Sequence, residues 1–253
     1  MKTLKLLVLA LVVSFSAQIH AQSAEEIIAN YIEAIGGKEN LLKIKGIKMQ
    51  GELNAQGMQI PMETVTMKDG RMYAQIEFQG KKIKQMFTDG TKVWMFNMMA
   101  QVVEEMPADE TKMIIEEFKD FPNPFLNYKD KGYIVELMGT ETQEGTDCFK
   151  VKLTKKPHTI KGEVVPNVSY YYFDTETFVP ILTEAEVPMG PAKGQLMKTP
   201  LSDYQEVDGV YFPFSTQVQG MTMTFTSISI NPEVDDADFA KPVEAEKTPA
   251  IKN

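Results

Sequence analysis

The sequence predicts a mainly β protein, a single antiparallel sheet of about eleven strands that curls or closes, with helices laid against it. Two observations carry this reading. From Ile47 towards the C-terminus, apolar residues recur with a period of two, and turn signals such as "KDG" and "TDG" separate the runs. The pattern is broken only by an opening amphipathic segment and by one proline-bounded insertion of helical period.

The opening segment "SAEEIIANYIEAIGG" has Ser23 placed as an N-cap and Glu26 three residues on, the spacing of a capping box. Its stripe of Ile27, Ile28, Tyr31, Ile32 and Ile35 faces one side, and Gly36 and Gly37 end it. A short second helix is expected over Lys38 to Ile44. The strands begin with Ile47, Met49 and Leu53, continue with Met58, Ile60 and Met62, and then with Met72, Ala74, Ile76 and Phe78. "VWMFNMMA", residues 93–100, follows Asp89-Gly90 and is expected to pair with the strand holding Ile83 and Phe87. It is apolar on both faces of a strand, Val93, Met95 and Met99 on one and Trp94, Phe96 and Met98 on the other.

At "MPADETKMIIEEFKDFPNPFLNY" the period changes. Pro107 and the acids after it open a helix whose apolar side is Met113, Ile114, Ile115 and Phe118, and Pro122 and Pro124 end it. Such an insertion is expected to lie across a sheet. Seven further strand segments run from "YIVELMG" to "MTMTFTSISI". In "DDAD", Asp235 to Asp238, the pattern lacks the glycine and distal glutamate of a calcium loop, so an acid-capped turn with Phe239 packed back on the sheet is expected.

Residues 1–21 have the parts of a secretory signal peptide: Lys2 and Lys5, an apolar run from Leu6 to Val13, and Ile19 and Ala21 ahead of a cut before Gln22. No cysteine follows that run, so export to the periplasm without a lipid anchor is expected. One domain, residues 22–240, should follow, and a charged, proline-containing tail, 241–253, is expected to be disordered. The formal charge is −9, and loss of Lys2 and Lys5 takes it to about −11, which disfavours nucleic acid and anionic surfaces as general partners.

Little in the chain resembles catalytic machinery. Cys148 is the lone cysteine and reads as a small strand residue; His158 is the only histidine beyond the signal segment. A Ser-His-Asp site or a multi-histidine metal site is hard to build from that inventory, and no phosphate loop, GxSxG elbow, HExxH or CxxC is present. No cofactor and no metal is expected. The chain has 17 methionines, flexible and polarizable side chains suited to surfaces that fit variable apolar ligands. Its single arginine, Arg71 in "KDGRMYAQIEF", stands among lysines and offers a planar guanidinium for fixed polar contacts.

Taken in order, "ANYIEAIGGKENLLKIKGIKMQGEL", "KDGRMYAQIEFQGKKIKQMFTDGTKVWMFNMMAQ", "YYYFDTETFVPILTE" and "LSDYQEVDGVYFPFSTQVQGMTMTFTSISINPEVDDADF" resemble the LolA/LolB-like outer-membrane lipoprotein-sorting family in its Bacteroidetes form. The resemblance implies an unclosed antiparallel half-barrel with helices over its concave face. It implies an apolar cavity for lipoprotein acyl chains, and partner proteins at the inner membrane as donor and at the outer membrane as acceptor. The expected lipid-binding side chains are Met72, Ile76, Phe78, Trp94, Phe96 and Met98. Arg71 matches the family arginine that holds the lid, the expected lid helix carries Met113, Ile114 and Phe118, and Asp89, Gly90 and Trp94 match the family hairpin. A monomeric, non-enzymatic carrier follows. The "KDG" that replaces the family's "RP" and the greater length leave open a lipid- or envelope-stress-sensing module of the same fold, and, further off, an uncharacterised hydrolase.

Overall fold

The computed structural model describes residues 22–190, 192–218 and 220–241. The expected signal peptide and the tail from residue 242 lie outside the described residues. Helix α1 spans Ala24–Ala34, and its start is the predicted capping box: Ser23 Oγ accepts from the Glu26 amide at 3.2 Å, and Glu26 Oε2 accepts from the Ser23 amide at 2.8 Å. Ile27, Ile28, Tyr31 and Ile32 are buried on one face. Burial of each such isoleucine contributes about 2 kcal/mol, so the stripe rather than helix propensity holds α1 in place. Gly36 ends it with φ +118°, and a Cβ there would meet the Gly209 carbonyl oxygen at 2.2 Å. Only glycine allows this close approach. Helix α2, Lys38–Lys43, follows.

The strands are β1 (Gly46–Ala55), β2 (Met58–Met67), β3 (Arg71–Phe78), β4 (Lys81–Asp89), β5 (Val93–Asn97) and β6 (Val102–Glu105), then helix α3 (Ala108–Phe118). After it come β7 (Ile134–Gln143), β8 (Thr146–Thr154), β9 (His158–Ile160), β10 (Glu163–Val165), β11 (Val168–Asp174) and β12 (Pro180–Glu186). The last are β13 (Leu196–Val207), β14 (Val210–Val218) and β15 (Met221–Ile230), with a 3-10 turn at Asp236–Phe239. Thirteen strands form one sheet in the order β6-β5-β4-β3-β2-β1-β15-β14-β13-β12-β11-β8-β7, and β9 and β10 form a separate hairpin. The expected half-barrel is present, with more strands than the eleven predicted. The additional ones include β6, β9 and β10, each three or four residues long, too short to show alternation.

The sheet is unclosed, with β6 and β7 at its edges, and it curls around α1. The helix buries its stripe against Ile47 of β1, Val151 and Leu153 of β8, Phe173 of β11, Val210, Phe212 and Phe214 of β14, and Ile228 of β15. Strands far apart in the sheet order therefore present one common inner face.

Candidate lipid-binding site

Residues paired directly across strands share a face, so the register sorts the first half of the sheet into inner and outer rows. Ile230, Ile47, Thr66, Met72, Thr88 and Val93 form one inner row. Ile228, Met49, Thr64, Ala74, Met86 and Met95 form the next, and Phe225, Gly51, Met62, Ile76 and Ile83 the one beyond. The outer row between the first two is Val65, Tyr73, Phe87 and Trp94.

The inner face fills unevenly. Near α1 it is a packed core, with Ile47 and Ile228 buried and Tyr31, Phe125, Tyr171 and Phe173 in edge and tilted ring contacts at 4.8 to 5.9 Å. Burial pushes the Tyr31 hydroxyl up to about 12, despite the hydrogen bond from Asn123 Nδ2 at 2.7 Å. Further along β1–β4 and β15, Leu53, Met62, Ile76, Ile83, Met86 and Met223 are half-buried and lie outside the clustered core. They make an open apolar trough, rich in methionine.

Helix α3 packs against β9, with its C-terminal end near β2 and β11 and one flank near the β4–β5 turn. Met113, Ile114, Ile115 and Phe118 are half-buried, and no residue of α3 is fully buried. At its C-terminal end an open groove of about 300 Å³ is lined by Phe118, Phe121 and Tyr171 and by the charged Glu117, Asp120 and Lys155, with Thr66 of β2 at its edge. Along its other flank an open surface groove of about 510 Å³ is lined mainly by charged side chains, Lys92, Glu105, Lys112, Glu116 and Lys119, with Met106 and Ile115 among them. The helix thus stands between β2 and β11 at its C-terminal end and the β4–β5 turn along its flank, with open grooves beside it.

Polar contacts clasp α3 to the second limb. Glu117 pairs with Lys155, accepts from Asn167 Nδ2 at 2.7 Å, and lies 3.1 Å from His158 Nε2. His158 Nδ1 is 3.6 Å from Glu116, beyond hydrogen-bonding range, and has no other partner among the described residues. Lys155 also meets Asp120 at 3.0 Å, and Asp120 takes Lys131 at 2.9 Å. Asp109, near the start of α3, accepts from the Lys161 amide at 3.0 Å. Sequence reasoning missed this clasp, because His158, Asn167 and Glu117 come together only through tertiary folding; the unexplained single histidine was the available signal.

The structure divides the sequence-predicted residues. Met72, Ile76 and Phe78 lie on the inner face: Met72 is buried at the core end and Phe78 is exposed at the far end. Trp94 and Phe96, expected in the ligand wall, lie on the outer face. Trp94 is stacked on Phe87 with centroids 5.3 Å apart, and Phe96 pairs with Val103. Alternation from Val93, which belongs to the inner row, fixes this. Met98 stands beyond the strand, in the β5–β6 turn.

Arg71, expected as the lid contact, is likewise on the outer face, and its contacts are with the C-terminal turn. Its guanidinium meets Asp69 at 2.9 Å and Asp236, and lies 5.0 Å from the centre of the Phe239 ring. It secures the C-terminal turn, where Asp235 caps Ala237 at 3.0 Å and Phe239 is fully buried against Val65, Tyr73, Phe87 and Trp94. The Asp69 hydrogen bonds hold the arginine's pKa above its ordinary value, and Arg71 in turn lowers that of Asp69. Among the described residues no group of three or more His, Cys, Asp or Glu is placed to hold a metal ion, and no helix is long and apolar enough to cross a membrane.

This half-barrel has counterparts of similar fold among solved structures. A LolA superfamily protein from Nitrosomonas europaea superposes with a TM-score of 0.51 at 12% identity, over 87% of this chain and 99% of that one. A DUF1329 family protein from Desulfovibrio piger gives a TM-score of 0.51 at 15% identity, over 86% and 97% of the two chains. No family model matches the chain, and no curated protein matches it by sequence. The likeness is one of fold.

Proposed function

We propose that the protein is a non-enzymatic carrier of the bacterial envelope that shields lipoprotein acyl chains from water in the trough that β1–β4 and β15 form beyond the core. The observation that carries the reading is the inner face itself. Leu53, Met62, Ile76, Ile83, Met86 and Met223 continue the apolar rows past the core and are left half-covered, where a closed core would have filled them. Each acyl CH₂ moved from water to such a surface contributes about 0.8 kcal/mol, so a long chain is held firmly by an unspecific wall. Methionine adapts to chains of differing length and branching. The LolA-type fold agrees with this reading, and the signal segment of residues 1–21 agrees with a periplasmic site of action. Donor and acceptor proteins at the two membranes complete the proposed route, with the carrier monomeric between them.

A fluorescent diacylated lipopeptide tests the proposal. Saturable binding at one lipopeptide per chain, displaced by unlabelled lipopeptide and not by the peptide without its acyl chains, is expected. Transfer of the bound lipopeptide to acceptor vesicles then marks a carrier, whereas a sensor retains it. Absence of saturable binding overturns the reading.

A further inference from the structure

The hairpins β1–β2, β3–β4 and β5–β6 all turn at one end of the sheet, since alternate connections of an antiparallel meander fall on the same side. Neighbouring tips are about 10 Å apart, two strand spacings. They carry Met58, Phe78, Met98, Met99 and Val102, all exposed; Met99 is 98% exposed and Met58 56%. Single exposed hydrophobic residues are ordinary on a protein surface. Five on adjacent tips form a fringe.

The charge of the fringe is as unusual as its apolarity. Across residues 54–59, 77–82 and 97–102 the only acid is Glu77, set against Lys81 and Lys82, in a chain of net charge −9. At the opposite end Asp69 and Asp89 stand beside Lys68, Arg71 and Lys92. The three tips are thus poor in acid, Glu77 and the Glu104 carboxylate that accepts from Asn97 Nδ2 at 3.1 Å being the nearest. The inner rows holding Ile76 and Ile83 run up to this same end, so a body against the fringe would also meet the open end of the trough.

We propose that this fringe docks the protein on a lipid bilayer, with Met58, Phe78, Met98 and Met99 seated in the interfacial region and Lys81 and Lys82 near anionic head groups. Methionine and phenylalanine at loop tips enter the interface without unpairing backbone groups of the sheet, and the two lysines add attraction to an anionic surface. The docking does not depend on acyl chains being held in the trough.

Vesicle flotation of the purified protein, without lipopeptide, tests it. The protein is expected to float with vesicles of phosphatidylcholine and phosphatidylglycerol, and less with phosphatidylcholine alone. M99S/V102S should lower the floating fraction by about tenfold, with M99S alone giving part of the loss. K81E/K82E should abolish the preference for anionic vesicles. Lipopeptide binding by M99S/V102S, measured in parallel, should be unchanged, which separates this proposal from the trough reading. A wild-type protein that stays at the bottom of the gradient, or a double variant that floats equally well, overturns the proposal. A wild-type dimer in light scattering that M99S/V102S dissolves also overturns it, by assigning the fringe to a second copy of the chain.

Discussion

Arg71 and Asp236, 165 residues apart in the chain, meet as an ion pair on the outer face of the sheet. The pair, with Phe239 beneath the guanidinium, fastens the C-terminal turn over Val65, Tyr73, Phe87 and Trp94. Asp236 is almost fully exposed, so the ion pair itself adds little, and the cation–π contact and the packing of Phe239 contribute most. Arg71→Leu is expected to lower stability by about 1 kcal/mol and to leave lipopeptide affinity unchanged. Thermal unfolding and a binding titration check this; a loss of affinity without a loss of stability would return Arg71 to the lid.

Trp94 gives a direct optical test of which face holds ligand. Its indole is 6% exposed and stacked on Phe87 on the side away from α1. Its emission should therefore be that of a buried indole and should stay fixed on addition of a saturating acylated ligand. A blue or red shift at saturation would place acyl chains against the outer cluster and refute the assignment of faces.

The parts of the fold that were legible in the sequence are those with a local cause. Ser23 and Glu26 announce α1, Pro107 and Pro122 bracket α3, and alternation marks the long strands. The Asp235 cap and the buried Phe239 also follow from local chemistry. Which strand face is inner is different in kind, because "VWMFNMMA" is apolar on both sides. The outer side of Trp94 is covered by a segment more than 130 residues away, and no local pattern announces that cover. The same non-local pairing hides the true partner of Arg71 and the clasp on Glu117.

Glu117 is the point at which α3 can be released. It joins the helix to Lys155, His158 and Asn167, three groups from the end of β8, from β9 and from the segment ahead of β11. Glu117→Ala removes charge-assisted bonds that contribute about 1.5 kcal/mol or more to local closure. Amide hydrogen exchange over residues 108–118 should quicken about tenfold, with the strand cores unaffected. Unaltered exchange in α3 would mean that its apolar contacts alone hold it down.

Glu63 sets an acid limb of stability independent of the trough. Burial would raise its pKa, yet bonds from Lys48 at 2.8 Å, Tyr73 Oη at 2.7 Å and Gln50 Nε2 at 2.8 Å outweigh that and lower it. A folded pKa below the unfolded one means that the stabilisation is complete above the unfolded value, about 4.3, and is lost as pH falls through the folded value. Glu63→Gln should therefore be less stable near neutrality and should lose less on acidification below about pH 4.5. Melting temperatures of both proteins from neutral to acidic pH check the sign, and parallel curves would contradict it.

The trough reading makes its sharpest demand on Met62 and Met223. Both lie on inner rows beyond the core and are half-buried, so a polar side chain at either position can still reach water when the trough is empty. The expected stability change for Met62→Glu or Met223→Glu is therefore small, about 1 kcal/mol, mostly the lower strand preference of glutamate. With an acyl chain in place the carboxylate would lose that water, and burying an unpaired charge against hydrocarbon costs several kcal/mol. Lipopeptide affinity should accordingly fall by about 100-fold or more while the fold survives. Replacement of an exposed, outer-face residue such as Tyr211 by glutamate should leave affinity intact and serves as the matched control. Equal affinities for the two classes of variant would show that acyl chains, if bound at all, do not lie along these rows. The groove of about 480 Å³ between α1 and residues 125–130, floored by Ile28, Ile32, Phe125 and Leu126, would then be the next place to introduce a charge.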